Sequence, residues 1–161
     1  MKDIPLTRGL VALVDDEDYE LVDAFKWYVH RTGYVIRNVP HPEMTGKRIH
    51  LPIHRFIMGL PFGDSREVDH IDGNPLNNQR ANLRVCTGKE NARNKRTPTK
   101  SRAGLKGVYW RESRKKWIAQ ITVNGVHTYL GSYNTPEEAH AAYCEAAPRY
   151  HGEYANFGKA A

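Results

Sequence analysis

A chain of 161 residues is long enough for one ordinary domain or two small ones, and 40% hydrophobic residues with 9 tyrosines and 13 glycines suit two small sheet-rich modules better than one large core. The net charge of +6 and the pI near 9.4 favour an anionic partner; without a basic amphipathic helix or an apolar run of roughly 20 residues, that partner is nucleic acid and not a membrane. Cys86 and Cys144 lie far apart without CxxC spacing, which argues against a zinc ribbon or a disulfide framework and for free thiols in the cytoplasm, as does an acidic N-terminal stretch without the apolar segment of a signal peptide.

Residues Ile4 to Val14 alternate loosely and read as one or two short strands. Asp15 and Asp16 supply a helix start, with Tyr19, Leu21, Val22 and Phe25 spaced for one apolar face. Lys26 to His30 and Tyr34 to Val39 are β-rich and separated by Arg31-Thr32-Gly33, a hairpin signal, and Arg48 to Ile53 follows as a third strand. His54 to Leu60 reads as a short helix stopped by Gly59. His54 has three candidate roles: a second catalytic histidine, a phosphate contact, or a structural anchor for its helix.

The stretch from Glu67 to Lys95 concentrates the chemistry. Val68-Asp69-His70-Ile71 is a short strand, a Gly/Asn/Pro turn follows, Leu83-Arg84-Val85 is a second strand, and Lys89 to Asn94 is helix-like. Strand, turn, strand and helix can bring a carboxylate, asparagine amides and an imidazole together, the donor set of a hard divalent cation beside a general base. Asn74, Asn77 and Asn78 read as turn residues. Adjacent strand residues point to opposite faces, so Asp69 and His70 need a bend, a bulge, or access to one phosphate from two sides.

Basicity is local. From Lys89 to Lys116 there are eleven Lys/Arg and two acids, a charge of +9 that leaves the remainder at −3. Within it, Thr97 to Gly104 forms a linker that either is simply solvated or lies along a nucleic-acid groove. Beyond it, Gly107 to Arg111, Lys116 to Val123 and His127 to Gly131 read as three strands, the last two joined by Asn124-Gly125. Thr135-Pro136-Glu137-Glu138 forms a capping box, Ala139, Ala142, Tyr143 and Ala146 recur at helical spacing, and Pro148 should end that helix near Ala147.

The text VDHIDGNPLNNQRANLRVCTGKENARN, with IHRFIMG upstream, resembles the HNH endonuclease family, the ββα-metal nucleases, in the form common among phage and mobile-element homing enzymes. The resemblance implies that Asp69 and Asn91 hold one divalent metal ion, Mg²⁺ or Mn²⁺, that His70 is the general base activating water, and that Asn82 is the loop asparagine that orients it. Asn91 stands where some members carry His.

The text GVYWRESRKKWIAQITVNGVHTYLGSYNTPEEAHAAYCEAA resembles the AP2 DNA-binding domain, in which a three-stranded antiparallel sheet lies in the major groove with a helix behind it. That resemblance implies Tyr109, Arg111, Lys116, Trp117, Gln120, Thr122, His127 and Tyr129 as the DNA-facing residues. Arg93, Lys95, Arg96, Lys100 and Arg102 would track the backbone between the modules. The expectation is an α+β chain: an HNH nuclease domain over residues 1–96 with an N-terminal sheet-bearing region and a ββα-metal core, a basic linker over 97–104, and an AP2-like domain over 105–161. It would act on double-stranded DNA in a host cell's cytoplasm, as a monomer or DNA-assembled dimer, without a small-molecule cofactor. The alternative is a non-catalytic DNA-binding regulator with a vestigial nuclease fold.

Overall fold

The structure is a computed structural model that describes residues 1–94 and 102–158, with residues 93 and 94 by backbone alone. Two compact units, Met1–Gly88 and Lys89–Ala161, divide the chain. Both are built from helices and small antiparallel sheets, an α+β architecture.

In the first unit β1 (Lys2–Pro5) and β2 (Val11–Val14) form a two-stranded ribbon turned by a short 3-10 segment at Thr7–Gly9. Helix α1 (Asp16–Asp23) follows Asp15 as its N-cap residue, with three acids in its first turn facing the positive end of the helix dipole. Strands β3 (Tyr28–Val29), β4 (Val35–Pro40) and β5 (Arg48–Pro52) make a three-stranded antiparallel sheet in chain order, β3 and β4 being joined through a turn at Gly33 (φ 88°). Helix α2 (Ile53–Ile57) leaves β5 directly and stops before Gly59, whose φ of 65° lies in the left-handed region. Strands β6 (Glu67–His70) and β7 (Leu83–Cys86) pair antiparallel, and α3 (Gly88–Asn94) begins at the unit boundary.

One apolar core joins these pieces: Ile4, Ala12 and Val14 from the ribbon, Val22 from α1, Trp27 just before β3, Val35 from β4, Ile53 and Ile57 from α2, and Val68 and Leu83 from the β6–β7 hairpin. The expected apolar face of α1 is corrected. Val22 is buried, but Leu21 is 52% exposed and Phe25 lies beyond the helix end at 40%, while Asp18 is covered to 2%. An ion pair accounts for Asp18: Arg80 donates from Nε and Nη2 to its two carboxylate oxygens at 2.8 and 2.7 Å, and again to the carbonyl of Ile57. Asp15 completes the tie by accepting from the Arg80 backbone N–H at 2.7 Å and from Gln79 Nε2 at 3.0 Å. The acids at the head of α1 thus bind the turn that precedes β7.

In the second unit β8 (Val108–Arg111), β9 (Lys116–Val123) and β10 (Val126–Tyr133) form an antiparallel sheet in the order β10-β9-β8, with α4 (Pro136–His151) packed on one face. Asn124 and Gly125 both have positive φ (51° and 82°), the geometry of the tight hairpin turn expected there. The capping box is formed on both sides: Glu138 N–H donates to Thr135 Oγ1, and the Glu138 carboxylate accepts from Thr135 N–H. Helix α4 does not end at Ala147 but runs through Pro148 to His151. Proline in the last turn removes a single ladder bond, and the N–H of Gly152 closes the helix on the Pro148 carbonyl. Gly107 lets the chain pass beneath α4: a Cβ there would stand 2.0 Å from the Tyr143 ring.

Replacing Asp18 with Ala should cost the first unit about 2–3 kcal/mol, below the ~3–5 of a fully buried pair because Arg80 is partly exposed. Urea denaturation of the full chain would show it as a lower midpoint, with Asp18→Asn recovering little; unchanged midpoints would rule out the clamp as a source of stability.

Candidate active site and nucleic-acid face

The β6–β7 pairing is regular, with Asp69 opposite Arg84 and His70 opposite Leu83, and no register shift. No bulge interrupts the pairing at Asp69 and His70. Asp69 is bonded by Arg84, and His70 meets Asn78, His54 and Tyr34, while Asp69 stays close enough to act electrostatically on both His70 and Tyr34. Val68, Asp69 and His70 are all buried, so both faces of the strand end are covered.

His70 Nε2 stands 3.1 Å from Asn78 Oδ1, and the Asn78 amide nitrogen donates to the Pro75 carbonyl at 3.2 Å. That second bond orients the carboxamide with its oxygen toward the ring. Nε2 therefore carries the proton, and in the neutral ring Nδ1 is the basic nitrogen. Burial lowers the imidazole pKa, partly offset by the Asn78 hydrogen bond and the carboxylates of Asp72 and Asp69. The ring is thus neutral near pH 7, the state a general base requires. Asn78 was read as a turn residue, yet it is fully buried, and its backbone N–H donates to the Leu13 carbonyl at 2.8 Å. Nothing in the local sequence separates it from Asn77, because the contact that matters comes from β2.

His54 packs its ring against His70 with centroids 5.1 Å apart and near-perpendicular planes, and Tyr34 lies 5.4 Å from His54 and 6.0 Å from His70. His54 Nδ1 is buried with no hydrogen-bond partner, a cost of about 1–3 kcal/mol. Burial, then the neighbouring His70 and Arg55, pushes its pKa down to about 3. Tyr34, 41% exposed, covers the histidine pair, and its hydroxyl pKa is raised by burial and by Asp69 and Glu67.

Asn82 anchors the intervening loop. Its amide nitrogen donates to Asp72 Oδ1 (3.0 Å) and to the Asn77 carbonyl (2.8 Å), and its oxygen accepts from the Asp72 N–H (3.0 Å). Asp72 also accepts from Asn74 N–H and Asn77 Nδ2. Burial alone would raise the Asp72 pKa, but these hydrogen bonds and the nearby His70 outweigh it and hold the carboxyl below its usual range. Asn91 is half-buried on α3, in the second unit.

An Asp carboxylate and Asn amides are hard oxygen donors, suited to an Mg²⁺ or Mn²⁺ that keeps several waters. Among the described residues no group of three or more His, Cys, Asp or Glu is placed to hold a metal ion.

The second unit separates its sheet residues by parity. Val108, Ala119 and Ile121 face α4 and the core, whereas Tyr109, Arg111, Lys116, Gln120, Thr122, His127 and Tyr129 share the other face through the pairs Arg111↔Lys116, Gln120↔Tyr129 and Thr122↔His127. Trp117 is corrected: it falls on the α4 side, packed on the core around Leu105, Val108 and Ala119 and against Trp110 at 5.2 Å. Arg114, not anticipated, joins Tyr109, Arg111, Gln120, His127 and Tyr129 in lining a concavity of about 300 Å³. Within it Arg111 donates to the Tyr109 hydroxyl, and His127 Nδ1 lies 2.8 Å from both Gln120 Nε2 and Thr122 Oγ1. Lys116 Nζ donates to Asn134 Oδ1. Arg102 sits over the Trp110 ring at 5.5 Å. The expected backbone contacts Lys95, Arg96 and Lys100, and the side chain of Arg93, lie outside the described residues.

Residues 52–93 match the family model described as HNH endonuclease, and residues 103–153 match that of the AP2 domain. An uncharacterized HNH endonuclease of Acanthamoeba polyphaga mimivirus is 31% identical over 152 residues, which are 92% of this chain and 74% of that protein. Protein 3.8 of Escherichia phage T7 is 36% identical over 97 residues, covering 60% of this chain and 79% of that protein. The buried histidine on a strand–loop–strand frame and these likenesses define an endonuclease. The chain belongs to the HNH endonuclease family.

Folding holds His54 neutral down to about pH 3, while the unfolded chain takes up its proton near pH 6.5. The first unit's stability is therefore complete above about pH 6.5 and falls as the pH drops toward 3. Urea midpoints measured across that window should fall less steeply in a His54→Gln variant; an equal slope would place the acid sensitivity elsewhere.

Proposed function

We propose that the protein is a metal-dependent DNA endonuclease of homing type, acting in a host cell's cytoplasm, whose first unit hydrolyses a phosphodiester bond and whose AP2-like sheet selects the site. The observation that favours catalysis over a vestigial fold is the buried, neutral His70 held in one tautomer by Asn78. No helix among the described residues is long and apolar enough to cross a membrane.

Asp69 and Asn91 would hold one Mg²⁺ or Mn²⁺. The ion, when bound, supplies positive charge to the phosphate and the leaving oxygen. His70 takes a proton from water at Nδ1 as the water oxygen bonds to phosphorus and the bond from phosphorus to the leaving oxygen breaks, that oxygen departing to take a proton from solvent. The Nε2–H bond to Asn78 fixes the ring and stabilises the imidazolium as it forms. Asn82 acts through the loop, holding Asp72 and Asn77 in the arrangement that carries Asn78 to the histidine. On the second unit, Arg111, Arg114 and Lys116 would meet phosphates or guanine edges, and Gln120, Thr122, His127 and Tyr129 would read bases or pack on sugars. Double-stranded DNA is the partner, bound by a monomer or by a dimer assembled on the site.

Supercoiled plasmid with Mg²⁺ or Mn²⁺ should be nicked or linearised by the protein and left intact in chelator. His70→Ala should lower cleavage by at least about a thousandfold while leaving DNA affinity within about threefold; metal-dependent cleavage by that variant would overturn the assignment. Replacing Arg111 and Lys116 together with Ala should weaken binding and flatten its salt dependence by about two phosphate contacts. An unchanged salt slope would remove this sheet face from the DNA interface.

A further inference from the structure

The carboxylate assigned to the metal already has a cation beside it. Arg84 stands directly across from Asp69 in the β6–β7 register, and its Nε and Nη2 both donate to Oδ2, at 3.0 and 2.7 Å. Both side chains are largely covered, Arg84 being 12% exposed and Asp69 7%. Around a carboxylate so little hydrated, the guanidinium supplies the compensating charge. A divalent ion brought to the same group meets a guanidinium on one of its two oxygens, and the two cations repel in a region of low solvent exposure where screening is weak.

We propose that Arg84 is a built-in competitor for the metal. It holds the Asp69 carboxylate in place before a metal binds, and yields its hold on Oδ2 in whole or part when a divalent cation binds. The cross-strand register makes this possible. Arg84 is carried by β7 and Asp69 by β6, so the arginine side chain can shift without disturbing the backbone of Asp69 or His70. The consequence is a weak, exchangeable metal site in a protein whose ligand carboxylate is nonetheless preorganised. The proposal rests on the reading of Asp69 as a ligand.

Mn²⁺ titrated calorimetrically into the full chain tests it, using wild type, Arg84→Met, Arg84→Gln and Asp69→Asn. Both Arg84 variants should bind Mn²⁺ at least about tenfold more tightly than wild type. In chelator they should melt below wild type, and added Mn²⁺ should narrow that gap, because the ion replaces the lost counter-charge. Affinity unchanged or weakened in both variants, with binding abolished in Asp69→Asn, would overturn the competitor role and leave the metal assignment standing. Wild-type Mn²⁺ affinity in Asp69→Asn would instead overturn the ligand assignment, and this proposal with it. Should Arg84→Met fail to fold, Arg84→Gln keeps hydrogen-bonding capacity without charge and decides alone.

Discussion

The candidate active site depends on one connection between distant parts of the chain: β2 holds the asparagine-rich loop, and the loop holds His70. Leu13 donates its N–H to the Leu76 carbonyl and accepts from the Asn78 N–H, both at 2.8 Å, so the loop is laced to a strand more than sixty residues away in sequence. Asn78 is fully buried by this contact, and its carboxamide has little freedom beyond Pro75 on one side and the imidazole on the other. A buried amide that must satisfy both its groups is a directional constraint, stronger than apolar packing of the same volume. The Asp15/Asp18 clamp on Gln79 and Arg80 secures the same loop from α1. The N-terminal region is therefore the scaffold of the site and not an appendage to it.

Two kinds of polar burial meet around the β6 strand end, and they serve opposite ends. Asp72, Asn74, Asn77 and Asn82 satisfy one another and make the loop rigid. His54, by contrast, finds no hydrogen-bond partner for Nδ1 among the described residues and packs its ring on His70. Rigid loop and unsatisfied histidine together describe a site held in a defined geometry at some expense of stability. The Asp69–Arg84 ion pair balances charge at the same strand end.

In the second unit the deciding constraint is the two-residue period of a strand. β9 presents Trp117, Ala119 and Ile121 to α4 and Lys116, Gln120 and Thr122 away from it, and β8 and β10 follow by register. One residue of offset separates a core tryptophan from a basic and polar surface. Trp117 was placed on the surface from the resemblance, because its size and its neighbours in sequence suit either face; only the helix position settles which one.

Much of the architecture was readable in the chain itself, wherever the responsible physics is local. The Asn124-Gly125 turn, the Thr135–Glu138 capping box, the Gly59 stop and the strand pairs flanking the Asp69-His70 motif all follow from backbone preferences of a few adjacent residues. The end of α4 did not, because a proline in a final turn forfeits too little to stop a helix that Gly152 can close. Nor did the burial of Asp18, which needs Arg80 from a distant turn. The sequence by itself determined which residue types gather at the candidate site: aspartates, histidines and a run of asparagines. Tertiary structure alone decided that Asn78 and not its neighbour grips the histidine, that Arg84 pairs with Asp69, and that Trp117 packs on the α4 side, since each of these depends on partners that only folding brings within hydrogen-bonding or packing distance.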